Sequence, residues 1–132
     1  ASKLAGEIYG LESLAGNIAD QAGNTTRFLI MSREAKMPPL DSAPCITSFV
    51  FRLRSVPAAL YKALGGFASN GVNITKIESY MVDNRFTAAQ FYADVEGHTQ
   101  DNRLKLAFEE LNFFAEEVKI LGVYPAHNFR KN

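Results

Sequence analysis

Apolar and polar positions alternate most regularly in the second part of the chain. Thr47, Phe49, Phe51 and Leu53 alternate with Ser48, Val50, Arg52 and Arg54, the pattern of a half-buried strand. Pro57 stands where a helix can start, and Leu60, Leu64 and Phe67 form a helical stripe after it. Asn70-Gly71 ends that helix, glycine being the residue that enters the left-handed region at least cost. A second strand is predicted over 72–82. Its apolar phase changes between Ile74 and Ile77, which predicts a bulge or a late start. Asp83-Asn84 reads as a hairpin turn, and 86–95 as a third strand with Thr87, Ala89, Phe91, Ala93 and Val95 on one face. Leu104, Ala107, Phe108 and Leu111 make a second helical stripe, and 118–124 a last strand stopped by Pro125. The order β-α-β-β-α-β is an α+β, ferredoxin-like plan: a four-stranded antiparallel sheet with both helices on one face. Val50, Phe86 and Tyr92 are expected to leave the other face partly apolar, which calls for a partner.

The first part of the chain is patterned differently. Leu4, Ile8 and Leu11 recur at helical spacing, as do Leu11, Leu14, Ala15 and Ile18, with Gly10 between the two sets. Two short helices, or one kinked helix, are predicted. The turn-rich stretch 20–24 precedes a predicted strand over 26–33. One strand makes no sheet, so this part is expected to be a remnant of a larger α/β body. The first residue is not Met, which fits a fragment of something longer. Met37-Pro38-Pro39-Leu40-Asp41-Ser42-Ala43-Pro44 is expected to be an extended, stiff connector. The organisation predicted is 1–36, a connector over 37–44, a domain over 45–125 and a tail over 126–132.

Composition narrows the function classes. Of 132 residues, 47% are apolar, and 14 basic residues balance 14 acidic ones. A zero balance gives no electrostatic reason to expect nucleic acid or an anionic membrane as partner. No apolar run approaches the ~20 residues of a membrane span, and the N-terminus lacks the apolar core of a signal peptide. Cys45 is the one cysteine, so no internal disulfide is available and a reducing cytoplasm is expected. His98 and His127 stand far apart with no second ligand at metal spacing. Glu109-Glu110 and Glu116-Glu117 read as solvated faces. No metal and no cofactor are predicted.

Two segments carry a resemblance. Ala1-Ser2-Lys3-Leu4-Ala5, Tyr9-Gly10-Leu11 and Asn24-Thr25-Thr26-Arg27-Phe28 together resemble the closing portion of the prephenate dehydratase catalytic domain. The family pattern, Asn, any residue, then Thr-Arg-Phe, is met at Asn24, Thr26, Arg27 and Phe28. The resemblance implies a catalytic role for Thr26. Prephenate loses carbon dioxide and a ring hydroxyl together, and a hydroxyl donor near the leaving group would help it depart. Arg27 would pair with a substrate carboxylate or brace the loop. Read without the resemblance, Asn-Thr-Thr is turn chemistry.

Residues 45–125 resemble the ACT regulatory domain of the same enzymes. There an effector site uses a Gly-Ala-Leu segment at the start of the first helix and a Glu-Ser-Arg-Pro segment on the second strand. The matching positions here are Ala58-Ala59-Leu60 and Glu78-Ser79-Tyr80-Met81, with Ala for Gly and Tyr-Met for Arg-Pro. Small residues at a helix start let a carboxylate approach backbone N–H groups. Glu78 would meet the ligand ammonium, Leu60 would line an apolar wall, and Asn73 and Ile74 would offer backbone groups. Without the resemblance, Pro57-Ala58-Ala59 simply begins a helix and Glu78-Ser79 is strand surface.

The resemblance implies a C-terminal fragment of prephenate dehydratase, inactive alone. Its parent would convert prephenate to phenylpyruvate, water and carbon dioxide. The fragment would bind L-phenylalanine as allosteric effector and pair as a homodimer through the ACT domain. The alternative is a stand-alone amino-acid-binding or dimerisation module. An RNA-binding domain of the same element order is set below both, because Phe86-Thr87-Ala88-Ala89-Gln90-Phe91-Tyr92 lacks the expected glycine and basic pattern.

Overall fold

Four strands and two helices follow one another from Cys45 to Pro125 in the order that the patterning predicts. The structure, a computed structural model, describes residues 2–20, 26–54, 56–81 and 89–131. The predicted turn at Asp83-Asn84 and the start of the third strand, Phe86 and Thr87 included, lie outside them. The chain divides into two compact units, residues 1–33 and 34–132.

In the second unit the elements are β1 (Cys45–Leu53), α2 (Ala59–Ser69), β2 (Ile74–Met81), β3 (Ala89–Glu96), α3 (Asn102–Phe114) and β4 (Ala115–Pro125). A short helix α1 (Lys3–Ile8) belongs to the first unit, and a 3₁₀ turn (Asn128–Lys131) follows β4. The sheet order is β2-β3-β1-β4, antiparallel throughout, so β2 and β4 are the edges. This is the ferredoxin-like α+β architecture.

Register follows the alternation. Phe49 faces Ala93 and Phe51 faces Phe91, on the side that α2 and α3 cover. Phe49, Phe51, Phe67, Leu104 and Leu111 are fully buried there. The Phe108 ring stands edge-on to Phe49, with centroids 4.9 Å apart. The phase change expected in the second strand is a bulge: the pairing with β3 shifts between Ile74 and Lys76. Helix α2 ends as its sequence predicts. Gly71 has φ 64, Val72 N–H reaches the Phe67 carbonyl and Gly71 N–H the Ala68 carbonyl, a Schellman motif. Asp101 caps α3, its side chain accepting from Arg103 N–H at 2.9 Å. Helix α3 then runs straight into β4, which therefore begins at Ala115 and not at 118.

Several expectations are corrected. Helix α2 begins at Ala59, not at Pro57. Ala58 takes the left-handed conformation (φ 58, ψ 23), and Val56-Pro57 is used in a turn closed by Ala59 N–H to the Val56 carbonyl. The second N-terminal helix is absent. Leu11, Leu14 and Ile18 are exposed and irregular, and positive φ at Gly10 and Asn17 interrupts any helix. Without a surface to receive its apolar stripe, so short a helix does not hold. Residues 26–33 form no ladder, because a strand needs a neighbour and none is supplied among the described residues. The connector is not simply extended. It belongs to the second unit and makes a β-turn, Ser42 N–H and Oγ both donating to the Pro39 carbonyl.

The sheet face opposite the helices is partly apolar as expected, with Ile46 buried and Val50 half-buried on it among the described residues, and it also carries a polar cluster. Ser48, Tyr92, Asp94 and Tyr124 share it in one hydrogen-bonded cluster. Ser48 Oγ donates to Asp94 Oδ1 at 2.5 Å, Tyr92 Oη donates to the same oxygen at 2.6 Å, and Ser48 Oγ lies 2.8 Å from Tyr124 Oη. Asp94 is fully buried. Arg52 on the same face pairs with Glu116 and Glu117. Alternation along β1 and β3 puts Ser48 and Tyr92 on that face. It gave no sign that they would satisfy one another there.

Candidate functional site

The predicted effector residues divide between the two ends of α2. Strand β1 delivers the chain to the start of α2, and α2 carries it back to the start of β2. Ala58, Ala59 and Leu60 therefore lie at the end of the domain that holds Leu53 and Met81. Asn73 and Ile74 lie at the opposite end, with Cys45. The 11 residues of α2 separate these groups by about 16 Å at ~1.5 Å per residue. One copy of the domain does not bring them together.

At the first end, the left-handed Ala58 explains how this chain meets a position where the resembling family has glycine. Ala58 takes a left-handed conformation that glycine adopts freely, at the steric cost that an alanine Cβ brings there. Leu60 is partly exposed and Tyr61 almost wholly so, giving the helix start an apolar rim.

Glu78 lies on β2, on the face away from the helices, between Lys76 and Tyr80. Residues two apart on a strand share a face. Tyr80 Oη donates to Glu78 Oε2 at 2.8 Å, and Lys76 Nζ stands 3.0 Å from Oε1. The Tyr80 hydrogen bond first, then Lys76, holds the Glu78 carboxyl below the usual carboxylate range, and the same bond pushes the Tyr80 phenol up. Lys76 Nζ also lies 5.4 Å from the centre of the Tyr92 ring. The tyrosine standing in place of the family arginine thus donates to the glutamate beside it. The 76/78/80 alternation in the sequence is the signal that places Lys76 and Tyr80 on the same strand face as Glu78. Ser79 turns to the helix side, opposite Phe91, at the open edge.

At the other end, Asn73 is bound to the end of β3. Its carbonyl accepts from Glu96 N–H at 2.9 Å, and its side-chain amide donates to Glu96 Oε2 at 3.2 Å. Ile74 faces Val95 and packs on the core. Asn73 and Glu96 line a cleft of about 480 Å³ shared with His98, Asp101, Arg103 and His127. The two histidines, distant in sequence, thus meet around one cleft. Among the described residues no three His, Cys, Asp or Glu side chains are placed to hold a metal ion. Cys45, at the cleft floor, is buried, which pushes its thiol up, and its Sγ donates to the Ala43 carbonyl at 3.3 Å.

The predicted catalytic residues stand in the first unit. Thr26, Arg27 and Phe28 are exposed along an irregular segment, Phe28 by 84%. Asn24 lies outside the described residues. The described residues of this unit do not close a cleft around Thr26.

Residues 1–36 match the family described as prephenate dehydratase. Over 131 residues the chain is 50% identical to a bifunctional N-acyl-homoserine lactone acylase/prephenate dehydratase of Komagataeibacter europaeus, covering 99% of this chain and 47% of that protein. A solved structure, a prephenate dehydratase from Arthrobacter aurescens in complex with L-Phe, superposes with a TM-score of 0.63 at 32% identity, over 72% of this chain and 31% of that one. The chain is related to the prephenate dehydratases. A second solved structure, described as the quorum-quenching acylase GqqA, superposes with a TM-score of 0.69 at 50% identity, over 76% of this chain and 51% of that one. The chain spans about half the length of the Komagataeibacter europaeus and GqqA proteins and about a third of the Arthrobacter aurescens one. No helix among the described residues is long and apolar enough to cross a membrane.

Proposed function

We propose that residues 45–125 are the ACT domain of a prephenate dehydratase, that they bind L-phenylalanine as allosteric effector, and that residues 1–36 complete the catalytic domain. The observation that carries this reading is the L-Phe complex of the Arthrobacter aurescens enzyme, which shares the fold at 32% identity. The parent would be a cytoplasmic enzyme that turns prephenate into phenylpyruvate, with Thr26 near the departing hydroxyl. This chain alone would be inactive.

The effector site is composite. Strand β2 is an edge with Ile77, Tyr80 and Met81 exposed. A second copy added antiparallel along that edge places the start of one β2 beside the end of the other. Asn73 and Ile74 of one copy then approach Ala58, Ala59 and Leu60 of its partner. The Ala59 N–H already donates to the Val56 carbonyl; the next first-turn N–H groups of α2, of Leu60 and Tyr61, have no helical carbonyl ahead of them and suit the ligand carboxylate. Leu60 offers the apolar wall, and Glu78, on the other face of the β2 edge and held by Tyr80 and Lys76, would meet the ammonium only of a ligand that wraps that edge. The hydrogen-bonded cluster of Ser48, Tyr92, Asp94 and Tyr124 on the opposite face favours edge pairing over face-to-face packing.

Calorimetric titration tests this. Saturable heat is expected with L-phenylalanine and none with D-phenylalanine, alongside sedimentation as a dimer at micromolar concentration. No heat at millimolar ligand overturns the reading. A second activity of the parent is favoured by one observation, the 50% identity to a relative that is also named an N-acyl-homoserine lactone acylase. Assaying the parent against both prephenate and an N-acyl-homoserine lactone separates the two.

A further inference from the structure

The cleft beside Asn73 contains a contact that the effector reading does not use. His98 is buried, and each ring nitrogen has a partner. Nδ1 accepts from Gln100 N–H at 3.0 Å, so the ring hydrogen sits on Nε2. Nε2 lies 2.9 Å from the carbonyl of Pro38, sixty residues away in the chain, and donates to it. Nearby, Thr99 Oγ1 stands 3.9 Å from the Met37 sulfur, and Ala126 N–H donates to the Pro44 carbonyl at 2.8 Å. The proline-rich segment is therefore strapped to the domain, and His98 is its deepest anchor. Proline makes this kind of anchor necessary, because residues 38 and 39 have no N–H of their own to offer.

The anchor sits two residues from Glu96, which Asn73 grips through both its backbone and its side chain. A ligand that drew on the Asn73 amide would compete with Glu96 for it, and Glu96-Gly97-His98 is a continuous run from that contact to the strap. The geometry points to His98 as a latch: it holds the connector 37–44 on the domain, and it transmits occupancy at Asn73 to that connector. The transmission rests on the effector reading above; the latch itself does not. His98 is a positioning residue here, since it would touch neither effector nor substrate.

Two substitutions separate the ring nitrogens. In His98→Asn the side-chain oxygen can take the place of Nδ1 and still accept from Gln100, but nothing reaches Pro38. In His98→Gln the amide nitrogen can take the place of Nε2 and still donate to Pro38, while the acceptor for Gln100 is lost. Amide hydrogen exchange in the full chain reads both. His98→Asn is expected to speed exchange at Ser42 and Ala126 at least tenfold and to leave Gln100 protected. His98→Gln is expected to do the reverse. Equal effects of the two variants, or no effect at Ser42 and Ala126, overturn the latch. Should the asparagine variant fail to fold, His98→Ser replaces it: its hydroxyl can accept from Gln100 N–H but cannot reach Pro38, so faster exchange at Ser42 and Ala126 supports the latch and unchanged exchange overturns it. Saturating L-phenylalanine is expected to change Ser42 exchange at least threefold in the unsubstituted chain and not in His98→Asn. Binding by calorimetry with no change at Ser42 overturns the transmission. Absence of binding overturns the effector reading and leaves the exchange pattern of the two variants to decide the latch.

Discussion

Asn73 and Glu96 are joined twice: Glu96 N–H donates to the Asn73 carbonyl, and the Asn73 side-chain amide donates to the Glu96 carboxylate. The pair closes the start of β2 onto the end of β3, at the end of the domain where the cleft opens. The side-chain half of this link is exposed, so its loss should cost little stability while removing a polar group from the proposed effector site. Asn73→Ala is expected to weaken L-phenylalanine binding at least tenfold in calorimetry. The accompanying loss of stability should stay near 0.5–1.5 kcal/mol in urea unfolding, the usual range for one hydrogen bond.

Glu78 gives the pH dependence. Its carboxyl is held low by Tyr80 and Lys76, so the folded state favours the ionised form. Any stability it lends is present above the unfolded carboxylate value and is lost as pH falls through the lower folded value. Affinity for an ammonium-bearing ligand should fall over the same acid window. Tyr80→Phe removes the leading cause, and NMR titration should show the Glu78 carboxyl moving up. An unchanged titration would mean that Lys76 alone sets it.

Ala58→Gly should stabilise the domain. A left-handed alanine costs ~1–2 kcal/mol, and the flexibility that glycine gives the unfolded chain takes back ~0.5–1 kcal/mol. A gain of up to about 1 kcal/mol is expected in chemical denaturation, whereas Ala58→Val should lose stability, because branching at Cβ is least tolerated at positive φ.

Gly66→Ala should do the opposite. A Cβ on Gly66 would stand 2.6 Å from the Glu110 Cβ, where α2 and α3 meet. Asn70 Nδ2 also holds Glu110 Oε1 at 2.9 Å, so the helices cannot part without breaking that contact. A loss of about 1–3 kcal/mol is expected from overpacking, read as a lower urea midpoint.

In the full-length parent, Thr26→Ala is expected to lower kcat by ~10²-fold or more if the hydroxyl assists departure of the leaving group. A change confined to KM would make Thr26 a binding residue. Phenylpyruvate formation by the 132-residue chain alone would show that residues 1–36 do not depend on partners.

The fold was legible in the sequence because its determinants are periodic and local. Alternation at Thr47, Phe49, Phe51 and Leu53 fixed the buried face of β1, the stripe of Leu104, Ala107 and Leu111 fixed that of α3, and Asn70-Gly71 fixed the end of α2. Even the bulge at Thr75 left a trace, as a phase change between Ile74 and Ile77. The N-terminal part reads falsely for a related reason: periodicity states what a segment could bury, and Leu11, Leu14 and Ile18 stay exposed, with nothing among the described residues covering them. Contacts between residues remote in sequence were decided only by the tertiary structure. The Ser48–Asp94–Tyr92 cluster, the Asn73–Glu96 clasp and the hydrogen bond from His98 to Pro38 each join segments that no local pattern relates. The division of the proposed site between the two ends of α2 is of the same kind. The motif residues are written in the chain, but the helix between them sets their distance, and one copy of the domain keeps them apart.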